Sequence, residues 1–289
     1  MDRAFERWEE FSDQLMEGKP LDASAAEGML QGMMPVLLCD RDVIGVMLKL
    51  NARRLRPVMR HGVRVALMSM HLARHVGYDD ARCLDAGLVG LFADVGMSRV
   101  SPDIVDAQRQ LTPAEWLDIH RHPAYSADLL EQIEGLRADI AVAVYQHHER
   151  LDGSGYPHGR KGMFLHPMAR IVAVADVFAA VSDERAHRPA RGGHFAMKAV
   201  LQGVRDQSLD RVVTKALLDS VSLFPLGTRL TLSDSRRAEV FRTNPEHADR
   251  PLLTLLDDQD QPTKRKLDLS VSDALKVVSV DEVPLARAA

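Results

Sequence analysis

The chain has 289 residues, of which 46% are hydrophobic and 27% are charged, proportions typical of a globular protein that buries a core. Its formal net charge of −4 provides no overall positive field of the kind that attracts nucleic-acid polymers. The apolar runs are too short to cross a bilayer. The two cysteines, Cys39 and Cys83, have no metal-binding or disulfide-framework spacing. We therefore expect a cytoplasmic protein with no part in a membrane.

Residues 1–54 predict an N-terminal helical segment. Its helices are interrupted near Gly18, where the sequence continues Lys-Pro, because glycine and proline both disfavour a helix interior. The stretch Ala23–Met34 is rich in alanine and methionine, and Asp42–Arg54 has apolar residues at helical spacing. Both stretches are therefore predicted to be helical.

Residues 55–222 predict a larger, mainly helical domain. One apolar helix is expected to end at Gly77, since glycine suits a helix C-cap. Another is expected to begin at Thr112 as N-cap, with Pro113 at the first helical position and Glu115 at the third. Two further apolar helices are predicted at Ile140–His148 and Met168–Val181.

After Pro225 the pattern changes to short β-rich segments separated by polar turns. Residues 223–289 therefore predict a small C-terminal β unit, partly antiparallel, in which residues 257–264 form an exposed loop. The predicted strands are 228–232, 238–242, 251–256, 266–271 and 275–280. The fold class expected for the whole chain is mainly α with a small C-terminal β unit.

Twelve histidines provide the main functional signal. His147 and His148 end an apolar helical stretch and run into a loop with two glycines and a proline. Two adjacent histidines cannot share one helix face, so both can reach a metal ion only where the helix is ending. Asp176 lies in an apolar helix, where a carboxylate is costly unless it is paired or binds a cation. The other candidates, upstream, are His61, Asp94, His120 and His122.

The segment that begins with this histidine pair carries a family resemblance. Residues 147–157 read HHERLDGSGYP, which resembles the HD-GYP signature HHExxDGxGYP without a mismatch. The flanking order agrees, with a first histidine, an HD-like site, a histidine after Leu-Thr-x-x-Glu and a late aspartate, over residues 50–222. The signature residues after the histidine pair are Glu149, Asp152, Gly153, Gly155, Tyr156 and Pro157.

The resemblance implies the all-helical fold of the HD phosphohydrolase superfamily in a bacterial cyclic-di-GMP signalling protein. The family hydrolyses cyclic-di-GMP with iron or manganese ions, which imidazole and carboxylate ligands suit. By position, Asp94 would be the catalytic, bridging ligand, and Arg185 and Arg188 would meet the substrate phosphates. Glu149 and Asp152 would orient the histidines and the loop. The implied metal ligands are His61, Asp94, His122, His147, His148 and Asp176.

Four positions depart from the family pattern. The HD pair is Ala93-Asp94 here, so one imidazole ligand is missing, and Met97 stands where the family has a lysine. Pro57 replaces the glutamate ligand of trinuclear members, and Ala179 replaces a second aspartate of many members. The metal position that keeps its ligands is expected to be occupied, whereas the other lacks its histidine. The first retains Asp94, His122, His147 and His148, and the second retains His61, Asp94 and Asp176.

These departures favour a metal-binding cyclic-di-GMP signalling protein with weak or absent phosphodiesterase activity and a sensor or partner-binding role. Two alternatives stay open: an active metal-dependent cyclic-di-GMP phosphodiesterase, and a phosphohydrolase acting on another nucleotide. The intact GYP loop implies, by the same resemblance, binding to GGDEF-type or other signalling proteins. The sequence is also compatible with an oligomer.

Overall fold

The computed structural model describes residues 2–39, 55–182, 192–244, 246–271 and 274–281. Within these ranges the chain is mainly α-helical and has a small antiparallel sheet near its C-terminus, which confirms the predicted fold class. The predicted helix Asp42–Arg54 and the two candidate phosphate-binding residues, Arg185 and Arg188, lie outside the described residues.

The described helices follow the predicted breaks and caps. The first helix ends at Met16, before Gly18. Gly77 adopts the left-handed conformation with φ of 101°, and Thr112 and Glu115 form a reciprocal capping box. The helices are α1 (Asp2–Met16), α2 (Ala23–Cys39), α3 (Pro57–Val76), α4 (Asp80–Phe92), α5 (Pro102–Val105), α6 (Pro113–Ile119), α7 (His122–Leu130), α8 (Ala138–Tyr145), α9 (Pro167–Ser182), α10 (Gly193–Arg205) and α11 (Arg211–Val221).

Helices α3 and α4 cross at two glycines. A Cβ atom on Gly62 would lie 2.9 Å from the carbonyl oxygen of Leu91, and one on Gly90 would lie 2.9 Å from backbone atoms of α3. A larger residue at either position would force the helices apart, because only glycine permits so close a backbone approach. The crossing brings His61 on α3 beside the end of α4, which Asp94 follows.

The N-terminal helices share a hydrophobic core with α3 and α4. The ring of Phe92 on α4 lies 5.7 Å from that of Trp8 and 6.0 Å from that of Phe11. Burial of one such side chain contributes about 1.5–3 kcal/mol. Two short parallel strands, β1 (Leu21–Asp22) and β2 (Ile133–Glu134), also join the N-terminal segment to the region after α7.

The C-terminal sheet has five strands, which are β3 (Arg229–Leu232), β4 (Arg237–Arg242), β5 (Leu252–Leu256), β6 (Pro262–Asp268) and β7 (Val277–Val280). Their order in the sheet is β6-β5-β4-β3-β7, and every neighbouring pair is antiparallel. Side chains of β3, β4 and β5 alternate between buried and half-buried positions, which gives the sheet a core of its own.

Both ends of one strand in this unit were predicted wrongly. The strand β6 begins at Pro262, inside the predicted exposed loop 257–264, and residues 269–271 form a 3-10 turn instead of a strand. The turn is short because Asp257 closes it: its Oδ1 accepts the backbone N–H groups of Gln259 and Gln261 at 2.9 and 2.8 Å. An aspartate that bonds its own turn in this way lets the partner strand resume at once.

The division of the chain into 1–54, 55–222 and 223–289 stays a prediction, as does the cytoplasmic location. In the part of the chain that the structure describes, none of the helices combines the length and the hydrophobicity needed to cross a bilayer.

Candidate metal centre

The six side chains predicted as metal ligands converge from five parts of the fold. Their ligand atoms form two groups, each with all atoms within 4.8 Å of one another. The first group contains Asp94, His122, His147 and His148, and the second contains His61, Asp94 and Asp176. Asp94 belongs to both groups, so the two share one carboxylate.

The local structure explains how these residues come together. His61 lies on α3 and Asp176 on α9, whereas Asp94 follows the C-cap residue of α4 and His122 begins α7. The helix predicted to reach His148 ends at Tyr145 instead, so the histidine pair lies in the turn after α8. Because that turn is not helical, the two adjacent imidazoles are free of the helix geometry that would point them apart.

The histidines of the first group are held by their backbone. Nδ1 of His122 lies 2.7 Å from the carbonyl oxygen of Ile119, and Nδ1 of His147 lies 2.6 Å from that of Val144. A carbonyl oxygen can only accept, so each Nδ1 carries the proton and donates it. In the neutral tautomer, Nε2 of each ring is therefore left with a lone pair, as in metal-ligating histidines.

Those lone pairs point at one another. Nε2 of His122 lies 3.3 Å from Nε2 of His147, and the two atoms lie 3.1 and 3.6 Å from Oδ1 of Asp94. Both histidines are buried, and three acceptors packed together without a donor are costly where water is excluded. A proton on one imidazole would satisfy a single contact. One metal ion among the three atoms satisfies all of them.

The second group is tied together by direct contacts. Nε2 of His61 lies 2.9 Å from Oδ1 of Asp176 and 3.6 Å from Oδ2 of Asp94. The other oxygen of Asp176, Oδ2, lies 3.7 Å from Nδ1 of His148. This group offers one imidazole and two carboxylates, which is a poorer donor set for a transition metal than the first.

The protonation states suit cation binding. Burial works to raise the pKa of Asp94, but its close contacts with the imidazoles of His122 and His147 outweigh burial and hold that pKa well below its usual range. Burial is opposed in the same way at Asp176, whose pKa is lowered by its hydrogen bond to His61. Burial also lowers the pKa of His148 well below its usual value. Ionised carboxylates and neutral imidazoles are the forms that bind metal ions.

Two residues that sequence reasoning missed hold Asp94 against α7. The hydroxyl of Ser126 donates to the carbonyl oxygen of Ala93 at 2.7 Å and accepts the N–H of Gly96 at 2.8 Å. A Cβ atom on Gly96 would lie 2.3 Å from the carbonyl oxygen of His122, so only glycine fits there. In the sequence, the glycine two residues after Asp94 could have indicated this close contact, whereas no neighbouring residue indicates the role of Ser126.

Comparison with known proteins agrees with this geometry. A family model described as "HD domain" matches residues 45–213, which is more than half of the chain. The chain belongs to the HD domain family. It is 31% identical over 195 residues to a cyclic di-GMP phosphodiesterase of Pseudomonas aeruginosa, covering 67% of this chain and 45% of that protein. It is 33% identical over 165 residues to a 3'3'-cGAMP-specific phosphodiesterase of Vibrio cholerae, covering 57% and 35%.

The relatives make this HD domain one of the HD-GYP type. The chain spans about half the length, or less, of these two curated relatives. A solved structure, an HDG"Y"P protein of Bdellovibrio bacteriovorus, superimposes with a TM-score of 0.60 at 16% identity, covering 75% of this chain and 68% of that one. That likeness shows a shared fold.

The GYP loop of this HD-GYP chain is built by backbone hydrogen bonds. The buried carboxylate of Glu149 accepts the N–H groups of His158 and Arg160 at 2.8 and 2.9 Å. Asp152 accepts the N–H and hydroxyl of Ser154 at 3.0 and 2.8 Å. Both acids therefore hold the loop, and neither falls within the two metal-ligand groups.

The other signature residues have steric and packing roles. A Cβ atom on Gly155 would lie 2.3 Å from the carbonyl oxygen of His148, and Gly153 has a φ of 84°, so both positions require glycine. The ring of Tyr156, which precedes Pro157, lies 4.7 Å from that of His148, with 34° between the two planes. The loop backbone is thereby packed against the histidine turn.

The departures from the HD-GYP pattern fall at and around the centre. Ala93, at the position of the missing histidine, is 3% exposed, and Met97 is half-buried in the 3-10 turn after Asp94. Pro57 begins α3 one turn before His61, and Ala179 is buried in α9.

Proposed function

We propose that this HD-GYP protein binds a first-row transition metal, iron or manganese, and recognises cyclic-di-GMP or a related cyclic dinucleotide. It would hydrolyse the nucleotide weakly or not at all and serve as a sensor or partner-binding module. The observation that carries the proposal is the cluster of three acceptor atoms on Asp94, His122 and His147, which needs a shared cation.

The choice of ligand follows from the relatives and from the chemistry of the site. The two reported relatives are named for cyclic di-GMP and for 3'3'-cGAMP, both of which are cyclic dinucleotides with phosphodiester linkages. A bound metal ion would supply Lewis acidity toward a phosphate oxygen and acidify a bound water. The chain's own part is to hold that ion through His122, His147, His148 and Asp94, and to fix the imidazoles through backbone carbonyls.

Weak hydrolysis is proposed because of two substitutions beside Asp94. Ala93 offers no ligand to the group of His61, Asp94 and Asp176, which therefore has a single imidazole. Met97 has no charge with which to balance a phosphate. Two-metal phosphodiester hydrolysis depends on cations on both sides of the reacting phosphate, so the loss of a ligand and of a lysine weakens that arrangement.

The rival function, an active phosphodiesterase, is favoured by a different observation. Asp94 belongs to both ligand groups, as a bridging carboxylate of a two-metal site would. The similarity to a cGAMP-specific enzyme likewise keeps hydrolysis of another cyclic dinucleotide as an alternative. We also propose, from the family resemblance, that Arg185 and Arg188 meet the substrate phosphates and that the GYP loop binds a GGDEF-type or other signalling protein.

The test uses purified full-length protein reconstituted without oxygen with Fe(II) or Mn(II). We expect about one metal ion per chain from its ligand set, binding of cyclic-di-GMP or cGAMP by calorimetry, and slow or no product formation. The double substitution His147→Ala/His148→Ala should abolish metal binding. His158→Ala is the matched control, since His158 lies in the same loop but outside both ligand groups.

Each outcome has a defined meaning. Unchanged metal content in the double variant would refute the assignment of these ligands. Rapid turnover of cyclic-di-GMP by wild type would refute weak hydrolysis and establish the rival function. Rapid turnover of cGAMP alone would establish the other alternative.

A further inference from the structure

A row of aromatic rings leads from the metal centre to the surface. The ring of Tyr156 lies 4.7 Å from that of His148, and His120 stacks on Tyr156 at 4.0 Å with 18° between the planes. Trp116 follows, with its ring 5.9 Å from that of His120. His120 is half-buried within this row.

Trp116 is the outer end of the row and is open to solvent. Its side chain is 50% exposed, which is unusual for so large an apolar ring. The first turn of the helix that carries it is fixed by local contacts: Glu115 accepts the N–H of Thr112 at 2.8 Å, and Arg109 pairs with both oxygens of Glu115 at 2.9 and 2.6 Å. The indole is therefore presented on a preorganised element, which lowers the entropic cost of binding to it.

We propose that Trp116 is a stacking platform for a purine base of the cyclic dinucleotide, with His120 and Tyr156 as its support. The inference rests on the proposed function, because it places one phosphate of the ligand at the metal centre. Each base of a cyclic dinucleotide is joined through its sugar to the ring of two phosphodiesters, so a phosphate held beside His148 leaves a base to extend outward. The row of rings begins at that residue.

The chemistry of the row favours a base over a peptide. Aromatic side chains bind nucleobases through their faces, and one such contact is worth about 1–3 kcal/mol. His120 and Tyr156 already stack on each other, so His120 is a positioning residue that limits the movement of its neighbours. Trp116 has the exposed surface and is the specificity-determining residue.

The platform predicts a particular kind of selectivity. The strength of stacking depends on the area of a base and not on its hydrogen-bonding edge, so guanine and adenine should both bind well. A pyrimidine presents a smaller face and should gain less. Trp116 therefore favours cyclic dipurine nucleotides over a cyclic dipyrimidine nucleotide and discriminates little between the two purines.

The experiment measures affinity and fluorescence on the metal-loaded full chain, with cyclic-di-GMP, cyclic-di-AMP, cyclic-di-UMP and inorganic phosphate as ligands. Trp116→Ala should weaken binding of both purine dinucleotides by roughly 5- to 150-fold, the range that corresponds to one stacked base. It should weaken cyclic-di-UMP less and leave phosphate binding and metal content unchanged. Trp116→Phe, which keeps a smaller ring, should fall between wild type and the alanine variant.

Two controls separate stacking from general damage. Leu117→Ala changes the neighbouring residue of α6, which is 63% exposed, and should leave all four affinities unchanged. The chain has two tryptophans, and the other, Trp8, is buried. Cyclic-di-GMP should therefore quench the part of the wild-type emission that is missing in Trp116→Phe, and no other part.

Failure of the platform can be told apart from failure of the proposed function. If wild type binds a cyclic dinucleotide and Trp116→Ala binds it equally well, the platform is refuted and the metal-centre proposal stands. If Trp116→Ala also loses phosphate affinity or metal, the residue acts through the centre and the platform is refuted again. If metal-loaded wild type binds neither these three dinucleotides nor cGAMP, both proposals are wrong.

Discussion

Acid sensitivity of folding provides a sharp prediction, and it concerns His71 in the middle of α3. This side chain is 4% exposed, and its Nε2 has no hydrogen-bond partner among the described residues. Burial, assisted by the nearby His75 ring at 4.1 Å, lowers the pKa of His71 from 6.5 to about 3. The folded protein therefore keeps this imidazole neutral under conditions where the unfolded chain protonates it.

The sign and size of the effect follow from this pKa. A folded-state pKa below the unfolded value means that the unfolded state binds more protons, so stability falls as the pH decreases from about 6.5 toward about 3. At pH 5 the unfolded state gains about 2 kcal/mol from protonating His71, whereas at pH 8 the contribution is close to zero. Such a loss is a large share of a typical domain stability of about 5–15 kcal/mol.

The substitution His71→Leu removes the titrating group and the unpaired nitrogen while keeping an apolar side chain of similar size. Near pH 8 we expect a change of less than about 1.5 kcal/mol. Between pH 8 and pH 5 the variant should gain about 2 kcal/mol of unfolding free energy relative to wild type. Urea unfolding of the metal-free proteins at several pH values measures this difference.

The control replaces an exposed histidine, His247, by leucine. Its surroundings change little on unfolding, so the pH dependence of this variant should follow that of wild type. A difference in unfolding free energy between His71→Leu and wild type that stays constant from pH 8 to pH 5 would contradict the reasoning, as would a variant that loses stability relative to wild type as the pH falls.

Two further predictions concern the metal centre and its loop. Ala93→His and Met97→Lys together restore the missing groups, and this double variant should bind about two metal ions per chain. It should also hydrolyse cyclic-di-GMP roughly 100-fold faster than wild type. Two bound metals without a faster rate would show that these groups do not limit hydrolysis. Adding bulk to the exposed tip of the GYP loop with Ser154→Arg should remove signalling partners from pull-downs of the full chain without changing its metal content, and retention of every partner would count against binding through the loop.

Local patterns predicted the local structure well. The capping box of Thr112 and Glu115 and the left-handed Gly77 involve residues within a single turn, so sequence spacing is sufficient to specify them. The error at the start of β6 is also local. The polar stretch 257–264 was predicted to be a loop, but the carboxylate of Asp257 closes the turn early, so the strand begins within that stretch. Composition could not distinguish a polar strand from a polar loop.

The site was predicted through a different kind of signal. No periodicity indicates that His61, Asp94 and Asp176 should meet; the motif at residues 147–157 brought these positions together by resemblance. The structure groups them in the sets expected from it, while their roles as ligands stay predictions. Arg185 and Arg188 lie outside the described residues.

The sequence alone determined the helical character, the helix ends, the small sheet and the identity of the candidate ligands, because these depend on neighbouring residues or on a contiguous motif. Only the tertiary structure decided which atoms oppose one another. The facing Nε2 atoms of His122 and His147 depend on carbonyls that fix each ring separately. The stack of His120 on Tyr156 depends on how α6 and the GYP loop approach. Such contacts join segments far apart in the chain, and their distances are set by packing.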